Sequence, residues 1–500
     1  MKNIFVVLLL VNQIGFGCIG LAQSGENDAN ASISVTNYET LKAKINPLDI
    51  HSVLLQNEVI GHSVEGKEIV AMKFSNGHFG SDPSKIKVLI FAQQHGNEQS
   101  GKEASLLLAE WLLKPENNYL LDRIDLALIP QMNPDGSEIN RRRNANNADL
   151  NRNHLILSEP ETQALHRFFD SFLFEVTLDV HEYSPYGEEW KEYGYRKNTD
   201  VAVGSCTNIN VSKSIRKRSN KGFLPFVMDQ LNKTHFKSFL YCPGGPPENK
   251  YIRHSTFDIN DGRQSFGILN TFSFIQEGMN GTDMFAENMT FRAEGQKNGM
   301  IAMLKYVYES KDAIKKTVQK ERNRLISEEA GKPVSIQAKH VANRKKLLLP
   351  LFSYATQSDT IVIVNDYRPV VKTITDVSKP LGYLIPKNQP ELLSWAERHA
   401  LSTRTLVLNK TIDIGEYFVN TIDSIDFEGD TVIDPVVVFS SLHKAVNTDD
   451  YVFIPTNQLK GNMIVIALEP KSMLGLVTYS TFKDLLKTGE AYPVLRVERK

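Results

Sequence analysis

His95-Gly-Asn-Glu98 follows directly on the apolar run Val88-Leu-Ile-Phe-Ala92, at the point where a strand would end and a loop open. An imidazole and a carboxylate three residues apart can close on one zinc ion, which then needs only a distant third ligand. Alone the pattern is common. It is followed by other segments rich in chemistry-bearing side chains: NPDG (133–136), RRRNANNADLNRN (141–153), DVHEY (179–183) and FSFIQEG (272–278). Each lies at the end of a strand-like run or just beyond one.

Elements of regular spacing surround these segments. VIGHSVEGKEIVAMKFS (59–75) alternates apolar and polar residues about Glu65-Gly66 and reads as a hairpin. Ile86–Ala92 reads as a buried strand, and 101–113 has helical spacing through Ala104, Leu107, Leu108 and Trp111. A strand over 124–130, a helix over 161–172 and a strand over 175–180 follow. Strands alternating with helices imply an α/β layer fold whose ligands gather at strand ends. Between His181 and Glu277 periodicity is low, with an unusual loop at 183–255. That stretch, with the basic run 212–221 and the turn-rich 242–250, is expected to form loops walling a pocket. The basic run reads as solvated surface rather than a grip for an acidic substrate.

The order of the motifs, and the element that carries each, resembles the zinc carboxypeptidases of the carboxypeptidase A type, from about Ile60 to about Asn288. NPDG followed by DLNRN is the most specific part. The resemblance implies an α/β fold with a mixed central sheet flanked by helices and one zinc ion per catalytic domain. His95, Glu98 and His181 are its implied ligands, two imidazoles and a carboxylate that leave an open position for water. His181 suits the role because it ends the apolar run VTLDV. Asp149 matches the aspartate that orients a zinc-bound histidine. Glu277 takes the place of the general base acting on zinc-activated water. Glu182 is a competing carboxylate, but as the strand neighbour of His181 its side chain should point the other way.

Arg142 corresponds to the arginine that stabilises the oxyanion, with Arg143 open as an alternative in the triple-arginine run. Asn151 and Arg152 match the pair that holds a substrate's free C-terminal carboxylate. Peptide or protein C-termini are thus the expected substrate. The chain departs from the family in one place: no tyrosine occurs in HSTFDINDGRQSFGILN (254–270), where the family often carries one on a mobile loop. Tyr251 is nearby, and Phe266, Arg263 or Asp258 could take over part of the pocket. The alternative reading keeps the metal centre but makes the enzyme an amidase or peptidase acting on cell-wall or other modified peptides. A dead binding protein would have lost one of His95, Glu98, His181 or Glu277, and none is lost.

Five hundred residues suggest two domains, and 41% hydrophobic with 23% charged residues is the composition of a globular protein. A formal net charge of −1 offers nothing to nucleic acid or an anionic membrane. Residues 1–22 have a basic start, an apolar core and small residues before Ala22, which predicts a cleaved signal and a secreted or periplasmic protein. Cys18 leaves a lipoprotein alternative, although Gly-Phe-Gly before it fits poorly. No later run is long and apolar enough to span a membrane. Cys206 and Cys242 are expected either as a structural disulfide or as two free thiols. The boundaries that follow are a flexible segment at 23–39, a catalytic domain at 40–310 and a charged, exposed linker helix at about 311–331. Residues 332–500 complete the chain as a C-terminal β-rich second domain with one helix near 391–401; its role is open between packing against the enzyme, which is the default, binding a partner, and shaping the active-site rim.

Overall fold

The computed structural model describes residues 33–283, 285–327, 330–427, 429–442 and 446–500. The expected leader and Cys18 lie outside these. Apolar strands and the helices between them build an eight-stranded mixed sheet. Its order is Leu55–His62, Glu68–Phe74, Ile124–Ile129, Ile86–Ala92, Val176–Tyr183, Phe272–Met279, Val201–Ser205 and Ser238–Leu240. The first two form the expected antiparallel hairpin. The four strands in the middle run parallel, so their carboxyl ends open on one edge.

Alternation along the strands divides the core. Val88, Ile90 and Ala92 face the helices Ser100–Leu113 and Met289–Ser327 on one side of the sheet. Leu89 and Phe91 face the other side, packing with Phe168 and Phe169 of the helix Pro160–Phe172. Val334, Ile336, Tyr383 and Trp395 of the C-terminal region belong to this second cluster. The β-rich region therefore shares a core with the sheet. Trp395 Nε1 donates to the Leu155 carbonyl at 2.9 Å, and His399 Nε2 meets the same oxygen at 2.7 Å.

Several expectations need correction. The charged helix is 39 residues long and starts at Met289. Ile314, Val318 and Leu325 are buried on its inner face, so its later half is docked rather than an exposed linker, and the boundary near 310 falls inside it. The stretch 183–255 is ordered: Val201–Ser205 and Ser238–Leu240 extend the main sheet. Tyr195–Lys197 pairs with Leu347–Ser353, and Ile252–Arg253 with Tyr367–Arg368, both across to the C-terminal region. The basic run forms the helix Lys213–Arg218. The segment expected to be loose is tied down at its end, where Thr36 donates through N and Oγ1 to buried Glu103 Oε1, each at 2.8 Å. Cys206 and Cys242 are free thiols.

Candidate active site

The strand Ile86–Ala92 ends at Gln93, which turns the chain with φ of 56° and delivers His95 to the sheet edge. NPDG holds this turn in place. Asn133 Nδ2 donates to the carbonyls of Gln94 and Arg142, both at 3.2 Å, tying the histidine loop to the arginine segment. Gly96 lies flat against Gly136: a Cβ on Gly96 would come within 2.2 Å of the Gly136 backbone. Asp135 reaches back to the hairpin, accepting from Ser63 Oγ at 2.8 Å and pairing with Lys67 at 2.9 Å.

His181 lies within its strand, which continues to Tyr183 rather than stopping at Val180. Glu277 is its register partner on the neighbouring parallel strand, so the two side chains emerge side by side. His95, Glu98, His181 and Glu277 are all buried.

Both Nδ1 atoms point at one carboxylate. His95 Nδ1 is 2.7 Å from Glu98 Oε1, and His181 Nδ1 is 2.9 Å from Glu98 Oε2. The ligand atoms of the three residues lie within 4.8 Å of one another. The opposite ring nitrogens also face carboxylates: His95 Nε2 meets Asp149 Oδ1 at 3.1 Å, and His181 Nε2 meets Asp179 Oδ1 at 2.8 Å. An acid on each Nε2 sets the tautomer that presents the Nδ1 lone pair, so two imidazoles and a carboxylate fit a zinc ion. Burial works against the charge of Glu98, but the two histidines hold its carboxyl well below the usual range.

Asp179 and Gln94 went unnoticed in the sequence. Gln94 Nε2 donates to both Asp179 oxygens, at 2.9 and 3.0 Å, and Gln94 Oε1 lies 2.6 Å from His154 Nε2. An aspartate inside an apolar strand was the available signal, since a buried charge asks for a partner.

A cavity of about 260 Å³ opens beside these groups, and Arg142, Asn151, Arg152 and Glu277 all line it. Arg142 lies across the cluster: its Nε donates to Asp149 Oδ2 at 3.0 Å and its Nη1 is 3.2 Å from His95 Nδ1. Arg143 turns away, donating to the Asn147 carbonyl at 3.2 Å. Asn151 Oδ1 accepts from Gly262 N at 2.8 Å, and its Nδ2 lies 3.2 Å from His181 Nε2. Burial pushes the Glu277 carboxyl up to about 7. Glu182 is committed elsewhere, with Arg292 at 2.8 Å and Ser100 N at 3.1 Å.

The stand-ins for the absent tyrosine sort themselves. Phe266 is wholly buried and stacks on Phe169 with ring centroids 4.3 Å apart, and neither it nor Asp258 lines the cavity. Tyr251 lies under the Arg368 guanidinium at 4.0 Å. Arg263 does line the cavity, together with Tyr241, which the sequence did not suggest.

Residues 48–221 match the zinc carboxypeptidase family. Carboxypeptidase 2 of Trichophyton tonsurans is 23% identical over 467 residues, covering 87% of this chain and 81% of that protein. Carboxypeptidase D of Homo sapiens is 28% identical over 231 residues, covering 40% of this chain and 17% of that protein. A metallo-carboxypeptidase structure from Pseudomonas aeruginosa superposes with a TM-score of 0.43 at 20% identity, over 54% of this chain and 68% of that one. No helix among the described residues is long and apolar enough to cross a membrane. Residues 48–221 thus carry a zinc carboxypeptidase domain, the domain of a metallocarboxypeptidase hydrolase.

Proposed function

We propose that the protein is an exported zinc carboxypeptidase, freed of a leader ending at Ala22, that removes the C-terminal residue of peptides. The convergence of His95 Nδ1 and His181 Nδ1 on Glu98, within the cavity that Glu277 and Arg152 share, carries this reading. His95, Glu98 and His181 would hold the zinc ion. When bound, zinc supplies a Lewis acid and lowers the pKa of water toward neutrality.

The chain's own groups do the rest. Arg152, with Asn151 beside it, receives the terminal carboxylate through charge-assisted hydrogen bonds and places the last peptide bond at the cluster. Glu277, lifted toward neutrality by burial, takes a proton from the attacking water and returns it to the leaving amine. Arg142, whose side chain is 45% exposed and is held over the cluster by Asp149, donates to the developing oxyanion. Asp149 and Asp179 orient the two imidazoles. The contacts of Trp395 and His399 with Leu155 support a packing role for the region 332–500.

Mass-spectrometric digestion of a mixed peptide library tests this reading. Loss of single C-terminal residues, abolished by chelation and by Glu277→Gln, is expected. The charged lining contributed by Lys197, Asp261 and Arg263 supports a second reading, in which the same centre acts on cell-wall or other modified peptides. Ordinary peptides left intact and cell-wall fragments trimmed would select it.

A further inference from the structure

The cavity continues past the metal cluster to side chains that the hydrolytic chemistry leaves unused, among them Tyr241, Thr256, Asp261 and Arg263. Arg263 is fully buried at 0% exposure. Its Nη2 donates to Asp261 Oδ2 at 2.8 Å and to Thr256 Oγ1. Its Nε and Nη1 are buried and have no hydrogen-bond partner among the described residues. A buried charged donor without an acceptor is costly, and at the wall of a cavity the missing acceptor is one that a ligand can bring.

Asp261 is the carboxylate paired with Arg263, and both of its oxygens are already engaged. Oδ1 accepts from Gln264 N at 2.5 Å, capping the helix Gly262–Gly267, while Oδ2 accepts from Thr256 Oγ1 at 3.1 Å and from Arg263. A basic ligand side chain would find a carboxylate already spoken for, whereas an acidic one would find two unspent donors. The ring of Tyr241, with its centroid 5.6 Å from the guanidinium carbon, helps hold the fork in place. Lys197 joins Arg142, Arg152 and Arg263 as a basic group of the same cavity, its Nζ lying over the rings of Tyr183 and Trp190 at 5.7 and 5.3 Å.

We propose that Arg263 is the specificity-determining residue of this site and selects substrates whose C-terminal residue carries a side-chain carboxylate. The inference rests on the carboxypeptidase reading. Arg152 takes the main-chain carboxylate, and the unpaired edge of Arg263 takes the side-chain one. A carboxylate is favoured over a carboxamide because both of its oxygens can accept from Nε and Nη1, in a cavity to which Arg152 and Lys197 also bring positive charge.

Two measurements on the full-length, zinc-loaded protein test the assignment. Calorimetric titration with free L-glutamate, L-glutamine and L-norleucine reads binding without turnover. Release of the same three residues from otherwise identical peptides reads catalysis. Glutamate should exceed norleucine by on the order of tenfold or more in both, because a pocket built to hydrogen-bond a polar group rejects the analogue that lacks it. The ratio should collapse toward one in Arg263→Met and be kept in part in Arg263→Lys, which carries the comparison if the methionine variant fails to fold. Equal binding of norleucine and glutamate, or a glutamate preference that survives Arg263→Met, overturns the assignment. Glutamate bound preferentially with no peptide trimmed would sink the carboxypeptidase reading and leave the acidic subsite standing. Trimming without an acidic preference would do the reverse.

Discussion

Asp179 Oδ1 stands 2.8 Å from His181 Nε2, two residues along the same strand and on the same face of the sheet. The acid fixes which imidazole nitrogen keeps its proton and so which one is offered to a metal. Asp179→Asn should weaken zinc affinity by about 10–100-fold while leaving the fold intact, the size of effect that such outer partners have. Competition with a chromophoric chelator reads it directly. Unchanged affinity would mean that Asp179 merely satisfies Gln94.

Glu277→Gln removes the proposed proton acceptor but keeps the shape of the side chain. A fall in kcat of about 10²–10⁴-fold is expected, with zinc content and product binding retained. A comparable loss in Glu182→Gln with Glu277→Gln still active would transfer the role to the competing carboxylate.

Trp395 is wholly buried and donates to the Leu155 carbonyl, in a cluster that runs from the C-terminal region to the central sheet. Trp395→Ala should cost about 3–5 kcal/mol in denaturant unfolding, through lost burial and the cavity it leaves. Because the core is shared, the whole protein should unfold in one transition and lose activity with it. Two separate transitions, with activity following only one, would contradict a shared core.

His399 gives a pH dependence with a definite sign. Burial, reinforced by Lys460, depresses its pKa to about 3, against about 6.5 in an unfolded chain. The folded state keeps it neutral with Nε2 on Leu155, so its contribution is full above pH 6.5 and is lost as pH falls toward 3. Between pH 7.5 and 5 the loss is about 2 kcal/mol. His399→Gln keeps a donor for the carbonyl and cannot titrate, so its stability should fall less over that interval. Denaturant melts at both pH values check this, and parallel losses in the two proteins would refute it.

What could be read in advance was local. His95 and Glu98 share one turn at the end of an apolar strand, and His181 and Glu277 sit in apolar strands, so short windows reveal them. NPDG was visible as a motif, though its work was not: Asn133 ties together two loops through backbone oxygens that no pattern displays. Asp179 escaped because its partner Gln94 is 85 residues away. The docked helix escaped because its charged face outweighs the buried spacing of Ile314, Val318 and Leu325. The ordered wall between 183 and 255 escaped for a related reason. Its strands are two to five residues long, and two of them, Tyr195–Lys197 and Ile252–Arg253, find their partners beyond residue 340.

That last pairing bears on how fragments of this gene behave. Lys197 borders the cavity from a three-residue strand, and Leu351, Phe352 and Ser353 supply its partners in the sheet. A chain cut at residue 331 would still contain every proposed ligand and catalytic group, and every motif that suggests them. It would nevertheless lose the strand partner of one cavity wall, along with the tryptophan that donates to Leu155. The proposed catalytic inventory ends at Glu277, whereas the strand pairing that shapes its cleft reaches beyond residue 350.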